Sequence, residues 1–259
     1  MKKLNILIAH VSYQASTGSF IKLLRNSSKF HCYIVGCDSI EKGFSSGSLL
    51  VDKFYHISED NAETYIDSIK KIVHNEKINV IISAEEDDLL KFKDCQISQA
   101  IYKYIPQKHI FETFKDKYFA TQEMSKYGIY VPHNILNYSE FINTNNTEFI
   151  KRKRISCCSR GITIFDRTEI TENYSFFSNE YITQEFINGT LYTVDVFCDK
   201  SGSPCSIIPR KEIASKDGTT FKCEIENQQE LIDICKKIYN IYCIPGLSNI
   251  QFIVDDKPY

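Results

Sequence analysis

The residues in this sequence best suited to chemistry are cations set near the ends of apolar runs. Asp116-Lys117 precedes Gly128-Ile129-Tyr130-Val131-Pro132, and Phe149-Ile150-Lys151-Arg152-Lys153-Arg154 precedes Ser159-Arg160-Gly161. A third run, Ile208-Pro209, ends in Arg210. A lysine ammonium on a flexible stem can follow a phosphate as charge develops on it. An arginine fork suits a planar oxyanion held through two hydrogen bonds. Each pattern alone also fits a cation left in water at a helix or strand end, and spacing leaves both readings open.

Other chemistries lack their residues. The turn after the first apolar run, His10-Val11-Ser12-Tyr13-Gln14-Ala15, carries no G-x-G-x-x-G. A nicotinamide oxidoreductase, suggested by an α/β first half and by Asp38 at a strand end, therefore has little support. No G-x-S-x-G elbow for a Ser-His-Asp hydrolase occurs either. The six histidines, at 10, 31, 56, 74, 109 and 133, show no metal-ligand spacing and read as surface or packing residues. Glu85-Glu86-Asp87-Asp88 could gather around a hard cation, but acidic residues also complement a helix N-terminus. The helix start is the preferred reading. Ten cysteines include no C-x-x-C, and the adjacent Cys157 and Cys158 suit neither a disulfide nor a zinc site. They read as reduced, mostly buried thiols.

The elements that must position the cations follow from periodicity. Leu4–Ala9, Cys32–Val35, Phe54–Ile57 and Asn79–Ser83 are short apolar runs. They alternate with helical spacing over Gly18–Arg25 and Ala62–Val73, which predicts an open parallel sheet. After about residue 112 the pattern changes. Lys115–Tyr127 predicts a helix stopped by Gly128. Strand-like runs follow at Phe149-Ile150, Ile162–Phe165, Tyr181–Phe186, Tyr192–Cys198, Cys205–Ile208 and Asn249–Val254. Asn188-Gly189 and Ser201-Gly202 supply turns, and Gln229–Tyr242 places Leu231, Ile234, Cys235, Ile238 and Ile241 on one helical stripe. The second half is thus α+β with antiparallel sheet.

Length and composition agree with this plan. The chain has 259 residues, 42% of them hydrophobic, which allows one large domain or two modest ones with a buried core. A formal charge of −2 argues against a nucleic-acid partner. The apolar start is too short for a signal segment, and no run reaches a membrane span, so a cytoplasmic protein is expected.

In order of elements and in motifs the whole chain resembles the ATP-grasp superfamily, and within it the branch similar to the carbamoyl-phosphate synthase large chain. The resemblance implies a pre-ATP-grasp domain over 1–112, with Asp52-Lys53-Phe54-Tyr55 before a strand, and an ATP-grasp domain over 113–259. It implies ATP and Mg2+ as cofactors, with a small carboxylate activated as an acyl phosphate and attacked by an amine. By the same resemblance Lys117 and either Lys151 or Arg152 reach the phosphates, and Ser159, Arg160 and Gly161 belong to the loop that folds over them. Gln184, Glu185, Phe186 and Ile187 form the hinge that reads the adenine edge, Asp195 continues the site, and Arg210 is the catalytic cation. Gln251 stands at the first magnesium position.

The sequence departs from the family at two places. Ile155-Ser156-Cys157-Cys158 supplies no glycine to the phosphate loop, and Leu191 stands where a ribose-binding Glu is usual. The remaining metal ligands, a Glu and an Asn on a return strand, would lie beyond Tyr259. Asp255–Pro258 reads as a turn and Tyr259 as the start of that strand. An apolar strand without its partner exposes unpaired backbone groups, so a truncated frame or split gene is expected. The expectation is an ATP-grasp domain lacking its C-terminal end, with negligible catalysis by this form. Two alternatives stay open: a non-catalytic nucleotide-binding module, and half of a split ligase completed by self-association or by a partner chain at the open edge.

Overall fold

The computed structural model describes residues 1–12, 15–44, 46–83, 85, 88, 91–92, 106–156, 161–216 and 218–259. Two compact units, Met1–Ile105 and Pro106–Tyr259, divide the chain.

In the first unit, strands β1 (Lys2–Ala9), β2 (Phe30–Asp38), β3 (Lys53–His56) and β4 (Val80–Ser83) form a parallel sheet in the order β3-β2-β1-β4. β1 sits centrally and its last four residues are buried. Both faces are covered, which explains why the strand is a continuous apolar run instead of an alternation. On one face Leu7, Ala9, Val35 and Cys37 meet Tyr65, Ile66, Ile69, Ile72 and Val73 of α3 (Ala62–Asn75). On the other, Ile6, Ile8 and Ile34 meet Ile21 and Leu24 of α1 (Ala15–Arg25), together with Leu50 of the short α2 (Ser46–Leu50). Asn61 caps α3 by accepting the Thr64 N–H at 2.9 Å. Asp52 accepts the Ile34 N–H at 2.7 Å and pairs with Arg25 at 2.9 Å, fixing the entry to β3.

The second unit opens with α4 (Lys108–Lys115) and α5 (Lys117–Lys126). The single helix expected from Lys115 is therefore broken at Asp116. One antiparallel sheet runs β5-β8-β6-β7, from β5 (Asn134–Ile135), β6 (Glu148–Lys153), β7 (Thr163–Asp166) and β8 (Tyr181–Glu185). Its aromatic core gathers Phe149, Phe165 and Phe176 with Phe141 of α6 (Tyr138–Asn143). A second antiparallel sheet runs β11-β10-β9-β12, from β9 (Thr190–Cys198), β10 (Pro204–Lys216), β11 (Thr219–Ile225) and β12 (Gly246–Val254). One face packs Tyr192, Val194, Val196 and Phe252 against Leu231, Cys235, Ile238 and Tyr239 of α7 (Gln229–Tyr242). The predicted α7 agrees residue for residue. The short β5, α6 and the strand β11 lie outside the sequence-based expectations. After β12 the chain turns, and Ile253 and Tyr259 exchange both backbone hydrogen bonds at 3.1 and 3.0 Å.

Two turns depend on glycine through close approach. A Cβ on Gly189 would stand 2.6 Å from the Val254 carbonyl oxygen. One on Gly202, where φ is +83°, would stand 2.1 Å from the Cys243 carbonyl carbon. Cys243 itself ends α7 in the left-handed region (φ 48°), a position glycine adopts without a Cβ penalty. Thermal unfolding followed by circular dichroism should show Gly202→Ala destabilised by on the order of 2–3 kcal/mol. Cys243→Gly should gain about 1 kcal/mol. A Gly202→Ala protein as stable as the parent would show that the α7 end moves freely.

Candidate functional site

Asp116 leaves helical geometry (φ −97°, ψ 113°) between α4 and α5 because its carboxylate has two other tasks. It caps α5 by accepting the Tyr118 N–H at 3.0 Å, and it holds Arg154 through Nε at 3.2 Å and Nη2 at 2.8 Å. Both members of this pair are buried. The guanidinium is walled by the rings of Tyr118, Phe119 and Phe177, at 5.3, 5.2 and 5.1 Å from their centroids. The Arg154 main chain is used as well: its carbonyl accepts the Lys117 N–H at 3.0 Å, and its N–H donates to Glu180 at 2.8 Å. Lys117 is thereby fixed at the first turn of α5, beside the end of β6. Its ammonium donates to the Ser156 carbonyl at 2.8 Å, Ser156 Oγ at 3.2 Å and the Arg154 carbonyl at 3.4 Å.

Registry within the β6/β8 sheet separates the cations. Ile150 faces Gln184, Arg152 faces Ile182, and Asn134 faces Gln184. Directly opposed residues share a face, so Arg152, Gln184 and Asn134 lie on one side. Lys151, Lys153, Thr183 and Glu185 lie on the other. On that second side Lys151 donates to the Ser175 carbonyl at 3.3 Å and sits over Tyr174 and Tyr181 at 4.7 and 5.6 Å. Arg152 has no such company. Its Nε is buried without a hydrogen-bond partner, and burial pushes its pKa down to about 10. Gln184 is fully buried. Its Nε2 donates to Asn134 Oδ1 at 2.7 Å, Asn134 passes a bond to Thr121 at 2.8 Å, and Gln184 Oε1 is left without a partner.

Beyond β8 the chain stays tied for two residues. Glu185 accepts from the His133 N–H and from Asn146 Nδ2, each at 2.9 Å, and its own N–H donates to His133 at 3.1 Å. The Phe186 N–H donates to Glu148 at 3.2 Å. Among the described residues no acceptor takes the half-buried Ile187 N–H.

In the second sheet, Arg210 of β10 and Gln251 of β12 both face Thr193 of β9, and Asp195 shares their side one row further on. Arg210 donates to both Asp195 oxygens, Nε at 2.5 Å and Nη2 at 3.0 Å, and this contact holds the arginine pKa above its ordinary value. The fork expected to receive a substrate oxyanion is thus engaged by Asp195. Gln251 is exposed, with the neutral Thr193 opposite it and the exposed Asn249 two residues back on β12. Gly161 has φ +72° and lies against Lys153. Ser159 and Arg160 lie outside the described residues. The sequence reading missed Arg154, Asn134 and the capping task of Asp116. An Asp immediately before a helix is a legible cap; its partner Arg154 is not, because the contact is long-range.

Residues 114–259 match the model of the ATP-grasp domain family. The chain belongs to that family. No curated protein sequence matches it. Among solved structures it is similar to the biotin carboxylase domain of Hydrogenobacter thermophilus 2-oxoglutarate carboxylase, solved with magnesium ADP, ADP and bicarbonate. There the TM-score is 0.72 at 14% identity, over 98% of this chain and 62% of that one. It is also similar to N5-carboxyaminoimidazole ribonucleotide synthetase from Thermotoga maritima, at TM-score 0.61 and 17% identity, over 98% of this chain and 65% of that one. L-amino acid ligase from Bacillus licheniformis gives 0.59 at 10% identity, over 100% and 66%. The likeness is one of fold, parallel sheet and antiparallel sheets included, and the chain spans less than two thirds of the first two of these proteins. Among the described residues no helix is long and apolar enough to cross a membrane.

A buried guanidinium Nε without a partner, as in Arg152, is a stability liability, since burial penalises polarity that finds no partner. Arg152→Met should therefore raise the stability of the ligand-free chain by on the order of 1 kcal/mol. Arg154→Ala should instead lower it by about 3–5 kcal/mol, because it strands the buried Asp116 carboxylate. Parallel urea titrations of the two variants check the opposite signs.

Proposed function

We propose that the second unit binds an adenine nucleotide, with the base edge at the Ile187 N–H and the phosphates toward Arg152 and Lys117. The observation that carries this reading is the pairing of a buried, partnerless donor on Arg152 with a buried, partnerless acceptor on Gln184, on one face of the β6/β8 sheet. Buried polar atoms in folded proteins find partners, and a nucleotide offers both amino donors and phosphate acceptors. Of the two cations left open by the sequence, Arg152 shares the face of Gln184, and Lys151 is committed to Tyr174 and Tyr181 on the other. Arg152 is accordingly our phosphate-binding residue. In this reading 1–112 act as the pre-ATP-grasp domain, and the protein works in the cytoplasm, with its thiols reduced.

The described residues do not fit a magnesium cage at Gln251. A magnesium ion takes oxygen ligands with carboxylate help, but the Gln251 amide is neutral and Asp195 is held by Arg210. No step is therefore assigned to the metal. The motif resemblance of the sequence, not the relatives in fold, motivates the broader reaction class, transfer of phosphate to a small carboxylate followed by attack of an amine, and the branch similar to carbamoyl-phosphate synthase. In this chain we assign nucleotide binding with negligible turnover.

A second reading is a ligase half completed by another chain. It is favoured by β12 being an edge strand whose outer side is paired, among the described residues, only at Ile253 and Val254. A strand added along that edge would use main-chain hydrogen bonds.

Thermal-shift titration with ATP, ADP, GTP and NAD tests the assignment. A nucleotide at 100 times its Kd should stabilise the fold by about 2.7 kcal/mol. ATP and ADP should do so with or without Mg2+, and Arg152→Met should abolish the shift. No response to either adenine nucleotide would overturn the reading, and ADP release at the rate of a complete ligase would overturn the inactivity.

A further inference from the structure

His10 follows β1 in a left-handed backbone conformation (φ 52°), and its buried ring is enclosed by carboxylates. Nε2 stands 2.9 Å from Asp88 Oδ2 and 3.3 Å from Glu85 Oε2, and Nδ1 stands 3.3 Å from Glu59 Oε1. The ligand atoms of His10, Glu85 and Asp88 all lie within 4.8 Å of one another. They gather at the carboxyl ends of β1 and β4, neighbours at the point where the strand order reverses. Open α/β sheets take their ligands there.

The surroundings hold these atoms in place. Asp88 Oδ2 accepts from Tyr65 at 2.6 Å and from Ser83 at 2.7 Å, and Oδ1 faces Lys91 Nζ at 3.2 Å. The Tyr65 hydroxyl is also 3.3 Å from Nε2. Asp38 and Glu59 make a second group with His10, in which Nδ1 stands 3.3 Å from Glu59 Oε1.

Without a metal the 2.9 Å contact is an Nε2–H hydrogen bond to Asp88; a divalent cation would take the place of that proton, with the Nδ1–H kept on Glu59. Three electron-pair donors then converge, which favours a cation between them. Metal-binding histidines usually donate their other ring N–H to a carboxylate or carbonyl, as Nδ1 can here to Glu59. Ligand atoms at about 2.0–2.2 Å from a zinc ion stand about 3–3.5 Å from one another, and the 2.9 and 3.3 Å separations are close to that spacing. One imidazole with two carboxylates suits a first-row divalent ion better than Mg2+ or Ca2+, which prefer oxygen alone.

We propose that His10, Glu85 and Asp88 form a three-ligand site for a first-row divalent metal ion such as Zn2+, with Glu59 orienting the histidine. Three protein ligands leave a coordination position open to water or a small donor. The site is independent of the nucleotide reading and lies within the first unit. The sequence hid it because His10 is far from Glu85 along the chain, and the acidic run alone is as well explained by a helix start.

The test is a titration of the full chain, stripped with EDTA, with Zn2+ and with Co2+, whose visible absorption reports its ligands. The expected result is saturable binding of one equivalent and a Co2+ spectrum with nitrogen and oxygen ligation. Glu85→Gln, at a half-exposed position, and His10→Ala should each weaken binding at least tenfold. Glu59→Gln should weaken it about 10–100-fold with the stoichiometry kept, and His109→Ala should leave it unchanged. Absence of saturable binding overturns the proposal. So does equal affinity in Glu85→Gln, or a His10 ring shown by NMR to keep both protons at neutral pH after excess Zn2+ is added.

Discussion

The buried pair of Asp116 and Arg154 is the contact on which the placement of Lys117 and the end of β6 depends. A charge removed from water is tolerated when a partner and further hydrogen bonds receive it. Here one carboxylate serves as helix cap and as counter-ion, and three aromatic rings exclude water around the guanidinium. The same arginine's main chain joins Lys117 on one side and Glu180 on the other. Three segments remote in sequence are thus locked at one point: the start of α5, the end of β6 and the approach to β8. Lys117 takes its position from that lock, and its ammonium donates to Ser156.

From this anchor the alternation of a strand does the sorting. Four consecutive cations, Lys151 to Arg154, would repel if they pointed one way. The pleat sends Lys151 and Lys153 to one face, where Tyr174 and Tyr181 receive Lys151 and Tyr181 also lies under Lys153. Arg152 goes to the opposite face, where its Nε is buried without a partner among the described residues. A fold selected for stability alone would place an apolar side chain there, since unpaired buried polarity costs free energy. Gln184 repeats the pattern with an unmet acceptor two residues along β8. Two liabilities of opposite hydrogen-bonding sense on one face are better explained by a ligand than by chance.

Much of the fold was legible because its signals are local. The parallel strands β1, β2 and β4 are continuous apolar runs, α7 is a clean amphipathic stripe, and the turns at Gly189 and Gly202 need glycine for steric reasons. Elements set by tertiary contacts were not legible. The break between α4 and α5 follows from Asp116 leaving the helix to meet Arg154, and the two-residue β5 exists only through pairing with β8. The site followed the same division. Lys117 and the candidate hinge at Gln184 to Ile187 came from the family resemblance, but the choice between Lys151 and Arg152 needs the strand register. The engagement of Arg210 by Asp195 requires two strands to be aligned.

The distribution of acidic groups gives the two units different characters. On the Arg210 side of the β9/β10/β12 sheet, Gln251 and Leu191 are uncharged, Asp195 is neutralised by Arg210, and Glu212 accepts from Thr220. A triphosphate meeting Arg152 and Lys117 would find two cations. In the first unit the balance is reversed: Glu59, Glu85 and Asp88 converge on one histidine, with Lys91 beside Asp88 as the nearby cation among the described residues. Opposite excesses of charge call for opposite ligands. The same physical rule, that buried charge must be compensated, therefore points to an anion in one unit and to a cation in the other.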